Sequence, residues 1–173
     1  MDSSRRLTRI AVTILSLVFL AGTTRIQRPA VQVQADRVVV EKSARKLTLW
    51  SHGRPLKTYR VCLGSNPTGP KQREGDGRTP EGLYRIEGRN AQSAYHLALR
   101  VSYPNESDRA RARRLGVKPG GEIMIHGTPN RWRVVSGVFA YTDWTAGCIA
   151  VTNPEIEEIW KLVPNGTTVD IRP

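Results

Sequence analysis

The sequence predicts a mainly β domain, a sandwich or partly closed barrel with a short helical flap and a C-terminal helix, on three observations. Short runs rich in Val, Ile, Leu, Thr and Tyr recur between residues 37 and 171. Clusters of Gly and Pro punctuate them. Only two stretches have helical character, and only the second carries a complete apolar stripe. At 173 residues the chain is long enough for one domain with a proper core and short for two.

Taken in order, R-V-V-V-E (37–41) and K-L-T-L-W (46–50) read as strands joined by the polar K-S-A-R. After the turn at His52 and Gly53, residues 54–63 form a third strand. Residues 64–82 are so dense in Gly and Pro that regular structure is blocked, and a loop this long is usually functional or packed on something. Residues 83–89 and 97–101 return to strand composition. Residues 107–115 are predicted as a helix with R-A-R-A-R-R on an exposed face. Residues 122–126 alternate, with Ile123 and Ile125 facing one way, Met124 and His126 the other. In the last helix Asn153 serves as cap and Pro154 suits the first turn, while Ile156, Ile159, Trp160 and Val163 make the stripe. P-N-G at 164–166 stops it, and T-T-V-D-I closes the chain as a strand.

Ahead of this domain, Arg5, Arg6 and Arg9 precede an uncharged, mostly apolar run from residue 10 to 22. A bilayer span needs roughly 20 such residues, so the run fits a secretory leader better, with an uncleaved signal anchor as the alternative. Residues 1–22 are therefore expected to be a leader, 23–36 a linker and 37–173 the folded domain. The expected location is the periplasm or cell envelope, with membrane attachment through the N-terminal segment if the leader is retained. The formal net charge is +12, and without residues 1–22 there remain 24 basic against 14 acidic residues. In an exported protein this excess points to anionic envelope polymers or lipid headgroups, and the leader argues against nucleic acid.

Cys62 and Cys148 are the two cysteines. Cys62, in T-Y-R-V-C-L-G, reads as a small core residue. Cys148, in D-W-T-A-G-C-I-A-V-T-N, is open to four readings: buried hydrophobe, half of a disulfide with Cys62, metal ligand or nucleophile. There is no C-x-x-C or H-x-x-x-H to gather a metal, and no G-x-S-x-G for serine chemistry. A nucleophilic thiol needs a base, oxyanion donors and backbone freedom, the last supplied by Gly147. Of the three histidines, His126 ends a strand ahead of a glycine, whereas His52 and His96 read as surface residues.

I-H-G-T followed some twenty residues later by T-A-G-C resembles the signature of the L,D-transpeptidase catalytic domain, the YkuD-like family. The similarity extends through L-G-S-N-P-T-G-P-K-Q-R-E-G-D-G-R-T-P-E-G-L-Y-R-I, S-Y-P-N-E-S-D and P-G-G-E-I-M-I-H-G-T-P-N, covering about residues 37 to 171. The resemblance implies a β-sandwich-like domain and a cysteine acyl-enzyme. Cys148 would attack a peptidoglycan tetrapeptide stem, with His126 as proton acceptor and donor and the Gly127 carbonyl orienting the imidazole. The backbone N–H groups of Ala146, Gly147 and Cys148 would form the oxyanion hole, and the thiolate is expected to be favoured by a depressed pKa. The acyl acceptor would be a second stem or an envelope protein. No cofactor and no metal are implied. Relatives commonly carry S-H-G-C and then Arg or Asn two positions on; here Thr145, Ala146 and Ala150 stand instead. Substrate grip is accordingly expected from Thr145, Asn153, Lys71, Arg78 and Tyr103. The segment from Tyr103 to Gly121, with Lys118, is expected as a flap, its arginines 109, 111, 113 and 114 a solvated face or a guide for anionic stems. Hydrolysis on the same scaffold, as a carboxypeptidase or amidase, is the second reading. A cell-wall-binding module with an inert Cys148 is the third.

Overall fold

The computed structural model describes residues 33–131 and 142–173. The expected leader and most of the expected linker lie outside the described residues. The end of that linker is packed: Ala35 is buried, and its N–H donates to Leu162 O at 2.8 Å. The described residues form β1 Arg37–Glu41, β2 Lys46–Ser51, β3 Arg54–Arg60, β4 Gly82–Ser93, β5 His96–Val101, α1 Glu106–Arg114, β6 Met124–His126, β7 Ile149–Ala150, α2 Asn153–Leu162 and β8 Thr168–Arg172.

The strands make one sheet in the order β3-β2-β1-β8-β4-β5-β6-β7. The β1–β8 and β6–β7 pairs are parallel and the other pairs antiparallel. The third expected strand ends early, at Arg60, because the chain then leaves β2 for the far edge of the sheet. There Cys62 and Ala150 exchange hydrogen bonds of 2.9 and 2.8 Å, and Gly64 bridges to Thr145. The sheet thus curls into a half-barrel, the partly closed form the sequence predicts. Every second residue points inward. Val38, Val40, Leu47, Leu49, Ile86, Leu99, Ile125, Ile149, Val169 and Ile171 fill the core, each worth roughly 1.5–3 kcal/mol of burial.

Helix α2 closes that core with Ile156, Ile159 and Val163, all fully buried. Its cap is Thr152 rather than Asn153: the Glu155 carboxylate accepts from the Thr152 N–H at 2.8 Å and its hydroxyl at 2.7 Å. Helix α1 is capped by Asn105, whose side chain accepts from Asp108 N at 3.0 Å. The exposed arginine face is only partly so, because Arg111 turns inward to pair with the buried Asp108. Asp108 also accepts from Tyr84 OH at 3.0 Å.

The long loop between β3 and β4 is held by two buried lysines. Lys42 Nζ donates to Gly69 O, Thr79 O and Glu81 Oε1 at 2.6, 3.0 and 2.7 Å. Lys71 Nζ pairs with Asp76 Oδ1 at 2.8 Å. The Asp76 carboxylate also accepts from the N–H groups of Gln72, Arg73 and Arg78. Burial opposes its ionisation, but Lys71 and these three N–H groups prevail and hold its pKa at about 2.

Candidate active site

Strand β6 lies between β5 and β7, with His126 opposite Ala98 on one side and Ala150 on the other. In the parallel β6–β7 register, position 148 falls beside Met124, two residues along from His126. Met124, His126 and Cys148 therefore share one face of the pair. His126 is 3% exposed. Its Nδ1 lies 2.7 Å from Gly127 O. A carbonyl only accepts, so Nδ1 carries the proton and Nε2 keeps its lone pair. Burial pushes the imidazole pKa down against the Gly127 bond. Gly127 has to be glycine, since a Cβ there would stand 2.5 Å from Asn153 Oδ1 and 3.0 Å from Tyr95 O.

The turn that presents Cys148 is organised by Thr145. Its N–H donates to Leu63 O at 3.1 Å, and its carbonyl accepts from Ser65 N at 2.9 Å. Its hydroxyl donates to Cys148 O at 2.8 Å and accepts from Gly147 N at 3.1 Å. Gly147 has φ +139°, and a Cβ would meet Arg78 O at 2.6 Å, so chain and loop touch backbone to backbone here. Just upstream, the Asp143 carboxylate accepts from Leu63 N at 2.8 Å and pairs with Arg45 at 2.7 Å.

The half-buried Cys148 thiol donates to Glu122 O, two residues ahead of β6, at 3.4 Å. Glu122 is held at φ 54°, a costly conformation for a residue with a Cβ. Burial pushes the Cys148 pKa up, against the Met124 N–H and the Lys71 ammonium. This runs against the expected depressed thiol: burial disfavours the charged form of the thiol and of the imidazole alike. Gly147 N–H is committed to Thr145, whereas those of Ala146 and Cys148 meet no acceptor among the described residues.

The residues expected to grip substrate divide. Thr145 is buried and its hydroxyl is used inside the turn. Asn153 accepts from Thr128 N and Oγ1 at 2.8 and 3.0 Å, bracing the segment after His126. Lys71 is 3% exposed and committed to Asp76. Tyr103 is buried and donates to Pro119 O at 2.9 Å. Each of those four braces the domain through these bonds. Arg78 is the exception: its guanidinium makes one long bond, 3.5 Å to Pro70 O, while its backbone abuts Gly147. The expected flap is latched to the loop through Glu74 N and Lys118 O at 2.8 Å. Cys62 is buried, and neither cysteine is in a disulfide. Sequence reasoning passed over Tyr95 and Trp144, whose rings cluster with His126, with centroids 4.5 and 5.8 Å away. Aromatic residues in polar turns were the only available signal.

Three comparisons bear on this arrangement. The family model of the L,D-transpeptidase catalytic domain, YkuD, matches residues 35–171. YafK of Escherichia coli (strain K12), an L,D-transpeptidase by name only, is 36% identical over 110 residues, which are 62% of this chain and 37% of that protein. The chain thus spans little more than a third of that relative. The structure of Pgp2, a helical cell shape determining protein from Campylobacter jejuni, superposes with TM-score 0.62 at 26% identity, covering 79% of this chain and 46% of that one. An L,D-transpeptidase from Mycobacterium smegmatis shares the fold at TM-score 0.52 and 17% identity, covering 79% and 58%. With the model spanning the whole curled sheet and both motif blocks, the chain belongs to the L,D-transpeptidase catalytic domain family.

Proposed function

We propose that this chain is an exported peptidoglycan L,D-transpeptidase working through a Cys148 thioester. The observation that carries the reading is an imidazole with Nδ1 pinned to Gly127 O and Nε2 available, on the same face as a thiol two residues along. His126 Nε2 takes the Cys148 proton as sulfur attacks the carbonyl carbon preceding the terminal D-alanine of a tetrapeptide stem. The N–H groups of Ala146 and Cys148 stabilise the tetrahedral oxyanion, and Gly147 joins them only by releasing Thr145. As that intermediate collapses, His126 returns the proton to the departing amine and a thioester remains. An amine from a second stem or an envelope protein then attacks the thioester, losing its proton to His126, and the thiol is regenerated.

Water in place of the amine gives hydrolysis. One observation favours this second outcome: Ala146 is exposed beside the thiol and offers only a methyl group to an acceptor. Incubation of purified protein with tetrapeptide muropeptides, followed by mass spectrometry, tests both readings. A Cys148 thioester mass, absent in Cys148→Ala, is expected, with cross-linked dimers marking transfer and trimmed monomers hydrolysis. If the wild-type protein forms no adduct with muropeptides or a carbapenem, the catalytic reading fails.

A further inference from the structure

We propose that Tyr95 and Trp144 are positioning residues that clamp the His126 imidazole in its working orientation. This rests on His126 being the base. The three rings come from three separate segments. Tyr95 lies 4.5 Å from His126 at 42°, Trp144 lies 5.8 Å from it at 64°, and Tyr95 and Trp144 stack at 6.1 Å and 26°. These are favourable aromatic distances. The Gly127 bond fixes one edge of the imidazole but leaves the ring able to rock about it. Two aromatic neighbours, packed on each other as well as on the imidazole, restrict that freedom.

The clamp is built, not incidental. Tyr95 sits in the turn between β4 and β5, which is bolted to the segment after His126 at several points. Gly127 N donates to Tyr95 O at 3.1 Å, and Asn130 N to Ala94 O at 2.9 Å. The Asn130 side chain donates to Ser93 O at 3.0 Å and accepts from His96 N at 2.9 Å. Tyr95 N donates to Ser93 Oγ at 3.0 Å, and His96 adopts φ 68° to complete the turn. On the other side, Trp144 directly precedes Thr145, whose N–H donates to Leu63 O at 3.1 Å and whose carbonyl accepts from Ser65 N at 2.9 Å. Yet Tyr95 remains 39% exposed, so the core does not explain a large ring held there.

Among the described residues, the ionisable groups on the side of the imidazole are the Tyr95 phenol from the turn and the Cys148 thiol from β7's approach. Strands β5 and β7 present Ala98 and Ala150 opposite it, and α2 brings Asn153 and Ile156 against Gly127, none of them ionisable. Removing a ring therefore changes the imidazole through water access and orientation rather than through charge.

The test is the proton NMR titration of His126 in the full chain, assigned by difference against His126→Gln. The wild-type midpoint is expected below the ordinary 6.5. In Tyr95→Ala it moves up towards that value as water reaches the ring, while Tyr95→Phe restores the wild-type curve. Trp144→Ala moves it the same way, and Trp144→Phe restores it. The rate of Cys148 thioester formation falls about tenfold in Tyr95→Ala and recovers in Tyr95→Phe. An unmoved midpoint in both alanine variants overturns the clamp. If Trp144→Ala does not fold, the exposed Tyr95 pair decides alone. The titration needs no substrate, so its outcome stands apart from whether the transpeptidase reading succeeds.

Discussion

The two ends of the curled sheet are stabilised in different ways. Around β1, β2 and β8 the strands run five or six residues, and β1 meets both neighbours without a register break. Charges are answered across strands, Arg37 by Asp170 and Lys46 by Glu41, and along β8, where Arg172 also pairs with Asp170. At β6 and β7 the strands are three and two residues long. Glycines abut polar atoms there, Glu122 holds a positive φ, and an imidazole is nearly sealed from water. The first end rests on many similar contributions. The second rests on single contacts that nothing nearby can replace, which is what convergence on a thiol demands.

Substitutions should therefore separate the two ends. The largest effect belongs to Cys148→Ala, which should abolish the thioester in mass spectra while leaving the melting temperature near wild type, because the side chain carries no core packing. His126→Ala should lower the acylation rate by about 10² to 10⁴. The base must be neutral and its pKa is depressed by burial, so wild-type activity should fall on acidification only below 6.5, a limb that rate–pH profiles would locate. Asp76→Asn leaves the Lys71 ammonium buried without its partner, and chemical denaturation should show a loss of about 3 kcal/mol.

The pH signature of that pair sharpens the contrast further. Asp76 has a folded pKa of about 2 against 3.8 ordinarily. Its stabilisation is therefore full above 3.8 and disappears as pH falls towards 2. In Asp76→Asn that acid-dependent portion should vanish from stability curves. Gly147→Ala, forced against Arg78 O, should cost about 1–3 kcal/mol and slow acylation as well. At the regular end, Arg37→Ala should cost no more than about 1 kcal/mol, because Arg172 still holds Asp170. A loss as large as that of Asp76→Asn would erase the distinction between the two ends.

Legibility in the sequence follows the same divide. The strands at the regular end and the α2 stripe were readable because repetition is what a periodic pattern records. Strand β4 runs on to Ser93 through the polar N-A-Q-S, which alternation could not announce, since that hairpin extends past the core. Cys148, His126 and Gly127 stood out through their motif blocks. Thr145, Asn153, Lys71 and Tyr103, expected to grip substrate, each make hydrogen bonds within the domain. Residue type told that each had a polar tip, and only the fold shows the tip already bonded inward. Tyr95 and Trp144 were invisible because their partner is a ring some thirty and twenty positions away in the chain.

The stitch between Cys62 and Ala150 has a consequence outside catalysis. A sheet edge with unpaired N–H and C=O groups invites another chain to add itself as a further strand. Here one outer strand is tied to the chain leaving the other. The exposed flank of β3 offers Arg54, Pro55, Lys57 and Arg60, three charges and a residue that cannot donate. The curl that brings thiol and imidazole together thereby also leaves the domain little through which to polymerise.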